Sequence, residues 1–310
     1  MSILNLQDLS QKYMTAVLNK INPKKVDTFH FEEPIVLSES STPTRSEIDA
    51  PLNVMFHASQ DLDNRRGTSD LKQTVSFSQT QINTVETKTT DGVKTTKEHT
   101  FSGTLELKIK YAMFELGGVS GTYQYKKSTE NDISSEKSKS KSDSQTWSIS
   151  SEYTVKPGVK ETLDFYIVGI KTEVPLNIFA EFQGTKTIDN ISNVMAYQEF
   201  ISQDNEHIRA CMKASKLANP DHLSGYTAPK ELKANTSKGS VEFRGTAIAK
   251  INTGVKCLVV VNGKNSITGK TYSYIHPKTM LADGTIEYLE SEIDLLESEI
   301  DLLTTSSILV

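Results

Sequence analysis

The sequence predicts an all-β fold of long antiparallel strands behind one short N-terminal helix. Three observations carry this. Apolar and polar residues alternate with a period of two in much of 73–125, the mark of a two-faced strand. Ser and Thr crowd the same stretch, and β-branched residues suit a pleated, half-exposed surface. Hydrophobic residues make up only 36% of the 310, which fits extended strands better than a compact helical globule.

The helix is predicted over 4–21. Leu6, Leu9, Tyr13, Val17 and Ile21 recur at three- and four-residue steps and make one narrow apolar face, and Pro23 stops it. Residues 29–66 read as loop, with Pro34, Pro43 and Pro51 between short apolar runs. From Gln73 to Thr100 the rhythm is that of one long polar strand, with a break expected near Asp91-Gly92. Residues 128–151 are polar again and include KSKSKS (137–142). They read either as a solvated loop or as the partner of the 73–100 strand. Further strands are expected at 161–170 and 174–183, joined by a turn, and a second helix near 206–217. A hairpin of 240–250 with 255–261 is expected to bend at Thr253-Gly254, and a last strand to cover 272–275.

The most informative segment is 101–125. Phe101, Leu105, Leu107, Ile109, Tyr111 and Met113 occupy odd positions, while Glu106, Lys108 and Lys110 occupy even ones. Gly117-Gly118 signals a turn beyond the apolar tip, which includes Phe114 and Leu116. After it, Val119, Tyr123 and Tyr125 face one way, against Ser120, Thr122 and Gln124. A membrane β-strand needs roughly 9–11 residues, apolar toward lipid and polar toward the lumen, and 105–113 fits. Several chains would have to close a barrel together, because open strand edges cannot enter lipid. An ordinary half-buried hairpin shows the same alternation, so both readings stand at this point.

Other function classes find little support. The net charge of −5 gives no basic footprint for nucleic acid. Cys211 and Cys257 are too few for a disulfide framework or a zinc site. His30, His57, His99, His207, His222 and His276 are scattered, without HExxH or GxSxG spacing. GKNSITGKT (263–271) has one residue too many for a phosphate loop and reads as a turn between strands. Neither an enzyme activity nor a cofactor is expected.

The N-terminus has no basic-then-apolar signal pattern, so synthesis in the cytoplasm is expected. No segment reaches the roughly 20 apolar residues of a membrane helix. Residues 279–310 carry eight acids and no Lys or Arg. LESEIDL occurs twice there, placing Leu289, Ile293, Leu296, Ile300 and Leu303 on heptad positions. This tail is either a loose end or a removable propeptide. As a propeptide its loss would leave the chain net positive, and Lys264, Lys270 and Lys278 are candidate activation cuts upstream.

The sequence resembles the epsilon-toxin and mosquitocidal-toxin branch of the aerolysin-type β-pore-forming toxins, and among them the non-three-domain insecticidal crystal proteins. The stretches that carry the resemblance are QTVSFSQTQ (73–81), DGVKTT (91–96), WSISSEYTVKPGVKETLDFYIVG (147–169), VPLNIFAEFQGT (174–185) and GSVEFRGTAIAKINTGVKCLVVV (239–261), with Leu4-Asn5-Leu6-Gln7-Asp8 at the start. The resemblance implies an elongated aerolysin-like molecule. It has a receptor-binding head (1–70 and 190–235), a β-rich shaft (71–189 and 236–278) holding the insertion hairpin 101–125, and the acidic tail 279–310. It also implies a protoxin deposited as a parasporal crystal, trimmed by proteases, which forms a homo-oligomer on a target cell membrane after meeting a glycan or protein receptor. Tyr197 and Tyr226 are candidate receptor-binding aromatics, with Tyr272 and Tyr274 as further exposed candidates. The rival expectation is a non-lytic carbohydrate-binding or structural crystal protein.

Overall fold

The computed structural model describes residues 2–113, 119–220, 223–288 and 293–294. One helix, α1 (Leu6–Ile21), follows a short strand β1 (Ser2–Asn5). Asn5 caps it by accepting from the N–H groups of Gln7 and Asp8, and Asn22 ends it in the left-handed region at φ 54°. Asn tolerates that conformation, and Pro23 forbids continuation. Leu6 and Tyr13 are buried, whereas Ile21, the end of the predicted stripe, is exposed.

Nearly everything else is strand. In chain order these are β2 (Lys25–Phe31), β3 (Ile35–Pro43), β4 (Glu47–Asp63), β5 (Leu71–Lys94), β6 (Thr100–Met113), β7 (Val119–Asp132), β8 (Lys139–Val155) and β9 (Val159–Gln183). There follow β10 (Lys186–Ile188), β11 (Ile191–Ile201), β12 (His207–Lys213), a 3₁₀ turn (Ala214–Leu217), β13 (Leu232–Asn235) and β14 (Ser240–Asn265). The described residues end with β15 (Thr271–Ile275), β16 (Lys278–Leu281), β17 (Ile286–Tyr288) and β18 (Ile293–Asp294).

The spine is β9 against β14, antiparallel over almost their whole length. They hold 25 and 26 residues, which at about 3.3 Å per residue span about 80 Å. This is what makes the molecule elongated. Two cores follow from the two sides of the spine. One contains Leu163, Phe165, Ile167, Val259 and Trp147; the other contains Val168, Ile178, Phe182, Phe243 and Leu258. A small separate sheet of β2, β10, β11 and β12 packs beside α1.

Several expectations are corrected. Residues 29–66 are not loop, because β3 and β4 hydrogen-bond to β9. β3 and β4 thus belong to the large sheet. The strand 161–170, the turn and the strand 174–183 are one strand, β9. The hairpin expected at Thr253-Gly254 is one strand, β14, with a bulge there where the register against β9 shifts. β5 runs unbroken through Asp91-Gly92, with a register shift against β14 beside Asp91. The helix expected near 206–217 is strand β12 plus a 3₁₀ turn. Its residues pair with β11, as in Phe200 with Ile208, and tertiary pairing overrides local helix propensity.

At the C-terminus the boundary drawn at Thr279 falls inside β16, which pairs with β14 and β17. Ile293, expected at a heptad position, sits in β18 opposite Ile275. The other heptad residues lie outside the described residues.

Candidate functional site

The predicted hairpin exists as β6 and β7, and its register settles which residues share a face. Ile109 lies opposite Tyr123, Leu107 opposite Tyr125, and Met113 opposite Val119. On the other face Glu106 lies opposite Lys126, Lys108 opposite Gln124, Lys110 opposite Thr122, and Ala112 opposite Ser120. An antiparallel pair puts facing residues on the same side, so Leu107, Ile109, Tyr123 and Tyr125 share one surface, with Lys127 opposite Leu105 at its base, and Glu106, Lys108, Lys110, Thr122, Gln124 and Lys126 share the other. Phe114 and Leu116 at the tip lie outside the described residues.

The apolar face is buried against the body. Phe101, Leu105, Leu107, Ile109, Tyr111 and Tyr125 are all at most 8% exposed, in one core with Ala50, Leu52, Val85 and Ile133. Each such side chain contributes about 1.5–3 kcal/mol by leaving water. Their burial therefore holds the face on the body. Ser120, Thr122, Gln124, Glu106 and Lys110 on the opposite face are exposed.

Three sets of contacts hold the hairpin down. Residues 47–51 of β4 form a parallel ladder with 108–112 of β6, and Glu47 ion-pairs Lys108 at 3.4 Å and Lys110 at 2.5 Å. The lysines hold the Glu47 carboxyl below the usual carboxylate range, Lys110 first. At the base, the β5 hydroxyls of Thr87 and Thr89 donate to the carbonyls of Glu130 and Asp132. Lys127 reaches Asp143 of β8 at 2.7 Å. The base also carries a cost: the buried Oδ1 of Asn131 has no hydrogen-bond partner among the described residues, worth about 1–3 kcal/mol.

The polar stretches on either side pair with each other. β5 and β8 run antiparallel from Leu71 opposite Val155 to Thr87 opposite Lys139, so part of KSKSKS is strand. Glu47, Thr87 and Thr89 were not found from the sequence. The sequence pattern at 84–90 marked an alternation, and the buried side of it (Val85, Thr87, Thr89) is the side that grips the hairpin.

The other candidates are dispersed. Tyr226 is 8% exposed, lies edge-on to Tyr13 and donates its hydroxyl to the Leu217 carbonyl at 2.8 Å. It is a core residue and presents no ring to a receptor. Tyr197 is half-buried on the small sheet, stacked on His30 at 4.5 Å, with Lys186 over its ring. Tyr272 is 40% exposed and its hydroxyl donates to Glu161. Lys264 and Lys270 flank an exposed turn between β14 and β15, whereas Lys278 lies in β16 with its Nζ on the Ser150 carbonyl.

Ser59, His57 and Asp164 stand together, but Ser59 and Asp164 both meet His57 at Nε2. A nucleophile relay needs one ring nitrogen for each partner. Among the described residues no three or more His, Cys, Asp or Glu gather to hold a metal, and no helix is long and apolar enough to cross a membrane.

The sequence profile of the Clostridium epsilon toxin ETX/Bacillus mosquitocidal toxin MTX2 family matches residues 27–273. The chain belongs to that family. It is thus a protein of the pore-forming toxin kind. Solved structures share the fold of this ETX/MTX2-family chain at low identity. The Cry23Aa1 and Cry37Aa1 binary complex is 19% identical, with a TM-score of 0.60 over 95% of this chain and 100% of that one. A non-toxic crystal protein from Bacillus thuringiensis is 14% identical, with a TM-score of 0.65 over 85% and 98%. The Mpp75Aa1.1 β-pore-forming protein from Brevibacillus laterosporus is 14% identical, with a TM-score of 0.51 over 94% and 95%. A search of curated protein sequences finds no match.

Proposed function

We propose that this chain is a protoxin, deposited as a parasporal crystal, which is proteolytically activated, oligomerises on target cell membranes of the invertebrate gut and inserts a β-barrel. The observation that carries the reading is the β6–β7 hairpin. One of its faces is apolar over a membrane's thickness yet buried on the body, and the other is polar apart from Ala112. Release of β6–β7 would leave β5 and β8 paired as the polar stem above the membrane.

Two other features support activation. The turn between Lys264 and Lys270 is open to a trypsin-like protease, with Ile267 80% exposed. A cut there breaks the covalent link to β15–β18 and the acidic tail, leaving non-covalent contacts to hold them, among them the β14 ladders with β15 and β16 and the Lys256–Glu287 pair. Removing that negative charge favours approach to an anionic membrane surface. The head would comprise α1 and the small sheet, with Tyr197 rather than Tyr226 on its outer side for a receptor.

The test is a lock. A Cβ on Gly103 would stand 3.6 Å from the Cβ of Ser41 on β3, inside the roughly 3.5–4.5 Å of a disulfide. Ser41→Cys with Gly103→Cys, in a Cys211→Ser background, should close the hairpin onto β3. Trypsin-treated oxidised protein should bind gut-cell vesicles without releasing dye, and reduction should restore release. Equal dye release from oxidised and reduced protein would refute the reading. Trimmed wild-type protein that binds the vesicles and releases nothing would establish a non-lytic crystal protein instead.

A further inference from the structure

The charges on the polar face of the hairpin are not balanced evenly, and the imbalance has a sign. Glu106 and Lys126 lie opposite each other in the β6–β7 ladder, 3.0 Å apart. Both belong to the hairpin, so this pair travels with it. Lys108 and Lys110 face Gln124 and Thr122, which carry no charge. Their counter-charge is Glu47 of β4, and Asp49 of the same strand also acts on Lys110. The rest of β4, from Leu52 to Asp63, is hydrogen-bonded into β9. Glu47 and Asp49 are therefore part of the body and stay behind when the hairpin leaves.

On the proposed pore-forming reading, we infer that the pore is anion-selective and that Lys108 and Lys110 set its selectivity. Their positions differ by two, so their ammonium groups project to the same side at levels about 7 Å apart along the strand. In a closed ring of copies each level becomes a ring of ammoniums. Such rings select ions by sign, and low-dielectric walls focus their field. Glu130 faces Ser102 near the base, well away from the two lysine levels. Lys108, Lys110 and Lys126 are equalled in number by Glu106, Glu130 and Asp132, but Glu130 and Asp132 lie at the base, opposite Ser102 and Thr100, and the two lysine levels have no acid opposite.

The soluble form disguises this. Glu47 holds both lysines on the body, at 43% and 52% side-chain exposure. The same carboxylate that fastens the hairpin thus neutralises the groups that would later face the ions.

The experiment is the reversal potential of trypsin-activated channels in planar bilayers under a potassium chloride gradient. Wild-type channels should pass chloride in preference to potassium. Lys108→Gln with Lys110→Gln should bring the permeability ratio close to one, and Lys108→Glu with Lys110→Glu should invert it. Both side chains are solvent-facing, so the Gln pair retains the fold; single Gln variants should give intermediate ratios. Glu47→Gln should leave the permeability ratio of each open channel as in the wild type, because Glu47 is outside the pore. Cation-selective wild-type channels, or a Glu pair with the wild-type ratio, would overturn the selectivity inference while leaving the pore intact. Trimmed wild-type protein that binds the bilayer without any conductance would overturn the pore reading and this inference with it.

Discussion

The ring of His99 stands 3.6 Å from the Glu33 carboxylate, at the point where β5 has ended and the hairpin begins. Thr95 joins them. Its hydroxyl donates to Glu33 and, having only one proton, accepts from His99 Nε2 at 2.9 Å. Thr96 donates to the other Glu33 oxygen. The His99 backbone is tied to the far end of the hairpin, its N–H to Ser134 Oγ and its carbonyl to the Ile133 N–H. This cluster closes both ends of the segment that would have to move.

Acid should loosen it. Burial lowers the pKa of His99 from 6.5, although Glu33 opposes the shift; Lys97 lowers it and Asp132 raises it. The open hinge then binds more protons than the closed one, so closed-state stability is full above about pH 6.5 and declines as pH falls below it. Burial acts to raise the Glu33 pKa, but hydrogen bonds from Thr95 and Thr96 outweigh it and hold it below 4.5. Its contribution is lost at still lower pH, in the same direction. Hydrogen exchange at 95–99 and 132–134 should therefore accelerate from pH 7 to pH 5 in the wild type, beyond the intrinsic pH effect. His99→Gln should remove that acceleration; an unaltered profile in the variant would assign it to another group.

A second prediction concerns the C-terminal strands. Lys256 is a buried lysine of β14, its side chain 7% exposed, and its Nζ lies 2.6 Å from Glu287 of β17. A charged hydrogen bond contributes about 1.5–3 kcal/mol, and the half-exposed Glu287 places this one toward the lower end. Glu287→Gln should lower unfolding stability by about 1–2 kcal/mol on that basis and speed proteolysis of 278–288. Lys256→Met should cost less, since it leaves no buried charge behind. The urea midpoints of the two variants check this, and an unchanged midpoint in Glu287→Gln would remove the carboxylate from the account.

The hairpin was legible because its two faces differ at most positions from Leu105 to Tyr111, and period two needs no tertiary information. The pairing of β5 with β8 was legible as an option for the same reason. The spine was not, because Thr253-Gly254 and the polar residues 171–173 were read as turns. Pro175 lies where β9 passes from β4, paired through Ile170, to β3, paired from Leu176. Between them neither ladder continues, only the Pro175 carbonyl accepts from the Thr44 N–H at 2.9 Å, and a missing N–H costs nothing. Pro51 likewise occurs where β4 has left β9 and pairs with β6 alone. Glu47 was invisible because its role depends on a parallel ladder between segments some sixty residues apart in sequence. Tyr226 was misplaced because an aromatic in a polar stretch looks exposed until the hydroxyl's partner is known.

Gly254 and Gly169 face each other in the β9–β14 ladder, and the registers of both β14 and β4 against β9 shift beside them. A Cβ on Gly254 would meet Trp147 Cζ2 at 2.6 Å, and one on Gly169 would collide with Met55 Sδ and the Thr253 carbonyl oxygen. A methionine tip can move aside, but a backbone carbonyl within a ladder cannot without shifting the strand. Gly169→Ala should therefore cost at least the top of the about 1–3 kcal/mol range for overpacking, while Gly254→Ala, which displaces a buried indole, should fall within it. Urea unfolding followed by Trp147 fluorescence reads both, since Trp147 is the chain's one tryptophan. A Gly169→Ala protein as stable as the wild type would mean that the bulges can slide. The two glycines would then be dispensable to the register shift in the spine.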